Sequence, residues 1–130
     1  MNAKICQCKI DQEGVFKNIQ IECVNKDNKD DKKIIIRGDA YSSYHKDIFR
    51  KFIVDIMNSN DKDLKENYDY ECIGGGRIEF RPDCIFIYGY SSGYGQADHS
   101  KTKEIVKKFF PTYKVEISNE GYWVKILLII

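Results

Sequence analysis

Two histidines, His45 and His99, are the side chains of this sequence whose ordinary pKa lies nearest neutrality. Each stands at the start of a segment with helical spacing: His45 precedes Ile48, Phe49, Phe52, Ile53 and Ile56, and His99 precedes Ile105, Val106 and Phe109. In the first turn of a helix an imidazole lies among unpaired N–H groups near the positive end of the dipole. That lowers its pKa and keeps the ring neutral, the form that works as a base. Taken singly, a capping or core histidine explains either placement as well, and His99 is read as structural.

Three further features put polar or flexible groups where the pattern asks for apolar ones. Lys17 falls on the apolar face of an alternating run, with Val15, Ile19, Ile21 and Cys23. Either its ammonium snorkels to water from near a strand end, or it is held there for an anion. Gly74-Gly75-Gly76 is followed by Arg77, which sets unobstructed backbone N–H groups beside a guanidinium, as an anion site needs. Glycine runs also mark bulges and close strand approaches. Ser91-Ser92-Gly93-Tyr94-Gly95 offers hydroxyl and N–H donors of the kind that cradle phosphate, and reads equally as an ordinary turn.

Composition narrows the partners. With 21 Lys and Arg against 20 Asp and Glu, the net charge of +1 makes no field that holds a polyanion, so nucleic acid is not an expected partner. The five cysteines (Cys6, Cys8, Cys23, Cys72 and Cys84) are odd in number and scattered, which suits reduced thiols in the cytoplasm. Cys6 and Cys8 stand too close for a zinc knuckle and no second pair completes a ligand set, so neither a metal nor another cofactor is expected. No apolar stretch approaches the roughly 20 residues of a membrane-spanning helix, and no signal-peptide core opens the chain. A cytoplasmic protein without membrane partners is the expectation. At 130 residues and 42% hydrophobic content, the chain supports one core, hence a single domain over 1–130.

The elements that must position these groups follow from periodicity. Val15 to Cys23 reads as a half-buried strand and Lys33 to Arg37, with its three isoleucines, as a strand covered on both faces. The polar run from Asn25 to Lys33 joins them as a loop. A helix with Ser42 or Ser43 as its cap follows, with His45 in its first turn. Asn58 to Asn67 is again polar and reads as a connection. Tyr68 to Cys72, Arg77 to Phe80 and Cys84 to Tyr90 read as strands separated by the glycine run and by Arg81-Pro82-Asp83. A second helix is capped by Asp98 or Ser100 and stopped by Pro111. Tyr113 to Ile117 and Tyr122 to Ile130 then pair around Ser118-Asn119-Glu120-Gly121. The order predicts an α/β (α+β) fold: one mixed sheet of about six strands flanked by two helices.

Several of these segments occur together in one order: Glu13-Gly14-Val15-Phe16-Lys17, Ile36-Arg37-Gly38, Tyr44-His45-Lys46-Asp47-Ile48-Phe49, Glu71 to Ile78, and Tyr88 to Gly95. Taken together they closely resemble the small phosphohistidine phosphatase family, which includes the Janus and Ocnus proteins. The resemblance runs from about Glu13 to Tyr122. It implies metal-free hydrolysis of phosphohistidine, and in some members phospholysine, in proteins and peptides. It implies that His45 is essential and that Lys17, Arg37, Arg77, Ser91 and Gly93 bind the phosphoryl group. Where relatives commonly carry a bulky residue in the serine loop this chain has Ser92, and where they often carry proline it has Gln96; both changes bear on peptide selectivity. Trp123 to Ile130 extends past the usual end of relatives and is expected to form a strand.

The chemistry is consistent with that implication. A transferred phosphoryl group spreads charge over three oxygens, so its catalysis is mainly positioning and electrostatic stabilisation. The P–N bond is activated once its histidine is protonated, and a positioned base is what remains to be supplied. His45 is the candidate base, in a monomer acting on phosphohistidine proteins. The competing expectation is a non-catalytic phosphoprotein-binding or scaffold module that keeps the same anion cradle, although such a module needs cations and no base.

Overall fold

A computed structural model of the chain describes residues 5–121. The alternating run and the isoleucine run build the middle of the sheet as β2 (Gly14–Asn25) and β3 (Lys32–Asp39), which pair antiparallel. On its other side β2 pairs antiparallel with β4 (Tyr68–Phe80). β5 (Cys84–Tyr88) returns along β4 through the Arg81-Pro82-Asp83 hairpin. Two short parallel strands close the edges: β1 (Cys8–Ile10) on β3 and β6 (Lys114–Ile117) on β5. The sheet therefore has six strands in the order β1-β3-β2-β4-β5-β6.

Three helices pack on it. α1 (His45–Asn58) and the short α2 (Lys62–Glu66) lie over one face, where Ile48, Phe52, Ile56 and Leu64 bury against Ile19, Ile21, Cys23 and Ile35. α3 (His99–Phe109) lies over the other, where Ile105 and Val106 meet Phe16, Ile36, Ile78 and Ile87. Ile35 and Ile36 are successive residues of one strand, so they point to opposite faces and serve the two cores separately. No helix among the described residues is long and apolar enough to cross a membrane.

Five expectations are corrected. β2 is central rather than half-buried: Asn18 and Gln20 sit at 0% and 1% exposure on the face expected to be polar and solvated. Gln20 is accommodated because its Nε2 donates to the Asp98 carbonyl and to Thr102 Oγ1, both at 2.7 Å. The connection after α1 contains a helix, since the Asp61 carboxylate caps Leu64 N–H at 3.1 Å and Leu64 is buried, making three helices instead of two. The glycine run does not separate two strands: β4 passes through it, with a bulge opposite Gln20 and Ile21. α1 is capped at Tyr44, whose N–H donates to the Asp47 carboxylate at 3.0 Å, while Ser42 N–H is taken by Asp39. β1, too short for periodicity to reveal, was not expected. The strand predicted for Trp123 to Ile130 lies outside the described residues.

Candidate active site

The rows of side chains that meet at the site are set by register. Lys17 of β2 stands directly between Asp39 of β3 and Arg77 of β4, so all three project from the same face of the sheet, beside the first turn of α1. His45 opens α1 and is 8% exposed. Its Nε2 lies 2.9 Å from the Gly76 carbonyl oxygen. A carbonyl oxygen can only accept, so Nε2 carries the proton in the neutral ring and Nδ1 holds the lone pair. Burial lowers the pKa of His45 first of all; the hydrogen bond to Gly76 opposes the fall, and the charges of Lys17 and Arg77 add to it.

The glycine run explains how the imidazole comes so close. A Cβ at Gly75 would stand 2.7 Å from His45 Cδ2, 2.9 Å from the Asn18 carbonyl oxygen and 3.1 Å from Ser91 Cβ. Any side chain there would push His45 and Ser91 apart. Gly75 backbone is itself engaged, its N–H donating to the Gly95 carbonyl at 3.1 Å and its carbonyl accepting from Ala97 N–H at 3.0 Å. The run thus acts as a surface of close approach, not as the bare anion nest that its sequence also allowed.

Those two hydrogen bonds fasten the serine loop to β4. The loop closes on itself through Ser91 N–H to Gly95 O at 3.0 Å and Gly95 N–H to Ser91 O at 2.8 Å, with Gly95 at φ +83° where a side chain would be strained. Ser91 Oγ accepts from Tyr94 N–H at 3.2 Å, which leaves its own hydrogen to donate. Ser92 and Gly93 are exposed, and among the described residues their N–H groups have no hydrogen-bond partner. Lys17, His45 and Arg77 share a cleft of about 570 Å³ with Ser91, Ser92 and Gly93. Tyr44, Lys46, Tyr90 and Tyr94 complete its lining. Sequence reasoning missed these four, and the flanking of both motifs by tyrosine was the one signal for them.

Arg37 does not join this group. It sits opposite Ile19, one step further along the same face than Asp39, and lies under α1 with its guanidinium 5.5 Å from the centre of the Phe52 ring. Its Nη1 donates to the Ile36 carbonyl at 2.9 Å, and it lines a separate cavity of about 180 Å³ with Lys9, Lys51 and Asp55. The structure therefore does not bring Arg37 into the cleft that Lys17, His45 and Arg77 share. Lys17 behaves differently: among the described residues no carboxylate pairs with it, because Asp39 is engaged by Ser42 N–H at 2.7 Å and by Lys51 at 3.5 Å. His99 is structural, as expected: it is wholly buried and its Nε2 lies 2.8 Å from the Gly89 carbonyl. The thiols of Cys8 and Cys23 are pushed up to about 12 and that of Cys72 to about 11 by burial, which keeps them protonated and poorly nucleophilic.

A mixed six-stranded sheet with a histidine-led helix over a lysine and arginine pair defines a small α+β protein with a cleft lined by cations. The Janus/Ocnus family profile matches residues 2–114, and the chain belongs to that family. It is 43% identical over 115 residues to the sex-regulated protein janus-A of Drosophila mauritiana, covering 87% of this chain and 78% of that protein. It is 36% identical over 126 residues to the 14 kDa phosphohistidine phosphatase of Sus scrofa, covering 92% and 94% respectively. The janus-A protein of Drosophila pseudoobscura pseudoobscura is 38% identical over 125 residues, covering 92% of this chain and 79% of that protein.

Proposed function

We propose that this protein hydrolyses phosphohistidine in proteins without a metal, with His45 as the general base. The observation that carries the reading is the hydrogen bond from His45 Nε2 to the Gly76 carbonyl, which assigns the lone pair to Nδ1 of a neutral ring beside two cations. Lys17, Arg77, the Ser91 hydroxyl and the amides of Ser92 and Gly93 receive the phosphoryl oxygens. Nδ1 takes a proton from a water, whose oxygen bonds to phosphorus as the P–N bond breaks. The electron pair of that bond stays on the substrate's ring nitrogen, and since its other nitrogen already carries a proton, neutral histidine departs. Inorganic phosphate is the second product. The 36% identity to a protein named a phosphohistidine phosphatase supports the substrate class.

A direct attack by His45 would exchange one P–N imidazole bond for another of nearly equal energy and leave the same bond to hydrolyse, so the water route is preferred. The test is turnover of a phosphohistidine peptide by the protein and by His45→Ala, with chelator present, and with rapid quenching into alkali where phosphohistidine survives. Chelator-resistant turnover that His45→Ala abolishes, with no label on the protein, is expected. Stoichiometric label on His45, formed and lost at the turnover rate, would replace the base by a nucleophile. Tight phosphopeptide binding with no turnover would return the protein to a binding module.

A further inference from the structure

Beyond the N-terminus of α1 three depressions follow one another along the sheet, and neighbours share their walls. Lys17 and Arg77 line the cleft beside His45 and also a second depression, together with Val15, Asp39, Ala40 and Ser42. Val15 and Ala40 in turn line a third, with Asp11, Glu13 and Tyr41. Val15 and Lys17 are alternate residues of one strand and point to the same face, so this is a continuous path along β2 and not a set of unrelated hollows. Val15 is 39% exposed and Tyr41 93%, so both are open to a ligand lying in the path.

Charge changes sign along the path. The His45 end is cationic, with Lys17, Lys46 and Arg77. At the far end the ionisable groups are Asp11 and Glu13, with Tyr41 beside them. Glu13 is exposed and makes no ion pair among the described residues. Asp11 uses Oδ2 to accept from Ala40 N–H at 2.8 Å and keeps Oδ1 available. Between the ends, the Asp39 carboxylate accepts from Ser42 N–H and pairs with Lys51, which offsets part of its charge beside Lys17.

We infer that the three depressions form one groove for an extended polypeptide substrate. The phosphohistidine lies beside His45, a small or apolar residue rests on Val15 and Ala40, and a Lys or Arg reaches Asp11 and Glu13. This deepens the phosphatase reading and rests on it for the identity of the phosphorylated residue. A small phosphoramidate reaches only the first depression and gains nothing from the acidic end.

The experiment measures dissociation constants for peptides carrying a hydrolysis-resistant phosphoryl-triazole analogue of phosphohistidine. A single Lys, Glu or Ala is stepped one position at a time away from the analogue on either side. At one or two positions Lys is expected to bind about two- to fivefold more tightly than Ala and Glu more weakly, the range an exposed ion pair supports. The preference should shrink in high salt and vanish in the Asp11→Asn/Glu13→Gln double variant, in which Asn retains an oxygen for Ala40 N–H. Equal affinity for Lys, Ala and Glu at every position, or a Lys preference undiminished in the double variant, would overturn the groove. Phosphoramidate hydrolysis, measured in parallel, should be unchanged by the double variant. Its absence from the unaltered protein would count against the phosphatase reading while leaving the binding measurement to decide the groove.

Discussion

His45 and His99 begin as near twins. Each opens a long helix, each brings Nε2 within hydrogen-bond distance of a glycine carbonyl, and each presses on a glycine of β4. They do so from opposite faces: a Cβ at Gly75 would meet His45 at 2.7 Å, and one at Gly76 would meet His99 Cε1 at 2.7 Å. Burial lowers the pKa of both. What differs is the company. His45 has Lys17 and Arg77 beside it and a cleft in front, whereas His99 is sealed in, and its Nδ1 has no partner among the described residues. The ring and its helix position are the same in both, so it is the neighbouring cations and the opening that make one of them a candidate base.

The largest expected effect separates the twins outright. His45→Ala should lower kcat on a phosphohistidine peptide by at least about 10²–10⁴-fold, the usual share of a positioned base, while leaving the fold intact by circular dichroism. His99→Gln should retain turnover and lose stability in urea. Equal loss of turnover from the two substitutions would erase the distinction.

The cations come next. Lys17→Ala and Arg77→Ala should each weaken inhibition by inorganic phosphate, as well as turnover, by about 1.5–3 kcal/mol per lost charged hydrogen bond. Arg37→Ala should leave phosphate inhibition unchanged and instead lower the unfolding midpoint, since the residue stacks on Phe52 and satisfies the Ile36 carbonyl. Weaker phosphate inhibition in the Arg37 variant would place it back among the ligands.

The two glycines sharpen the contrast further. Gly75→Ala should cut turnover by displacing His45 and Ser91, whereas Gly76→Ala, meeting the Tyr88 carbonyl at 2.5 Å, should chiefly cost stability, about 1–3 kcal/mol for an overpacked site. Kinetics and urea titrations on the same two proteins decide it.

The smallest effect is in pH. A neutral His45 with a lowered pKa stays active below its ordinary value of 6.5, and turnover falls only once the pH passes the lowered value. For His99 the unfolded chain binds a proton near 6.5 and the folded one resists it, so the stabilisation is complete above that pH and drains away as pH falls towards the folded pKa. The acid slope of stability should flatten in His99→Gln.

Much of this was legible in sequence. Helical spacing located α1 and α3, the β-branched run located β3, and the turn residues located the β4–β5 hairpin. Lys17 was visible as a lysine out of pattern, and register then set it beside Arg77. What stayed hidden has a common cause. Asn18 and Gln20 looked solvated because periodicity reads one strand at a time, and burial on both faces comes from strands distant in sequence. The glycine run suggested a break because glycine weakens strands, yet here its missing side chains admit an imidazole on each face. Arg37 lies in the chain just ahead of α1, but one step along β3 carried it under the helix, a distinction invisible without register. α2 has a single buried anchor, Leu64, too little for a periodic signal.

The direct pairing of Lys17 with Arg77 across β2 and β4 also bears on how the protein reaches its working form. Those strands are separated in the chain by β3 and two helices, so their alignment is a non-local event and belongs to the slower class of folding steps. Among the described residues the β4–β5 hairpin and the loop after it carry Arg77 and Ser91 to Gly93, but Lys17 and His45 reach the cleft only from β2 and α1. Affinity for phosphate should therefore switch on in one step with global folding: in refolding from urea, recovery of phosphate binding should follow the same time course as burial of the central strands.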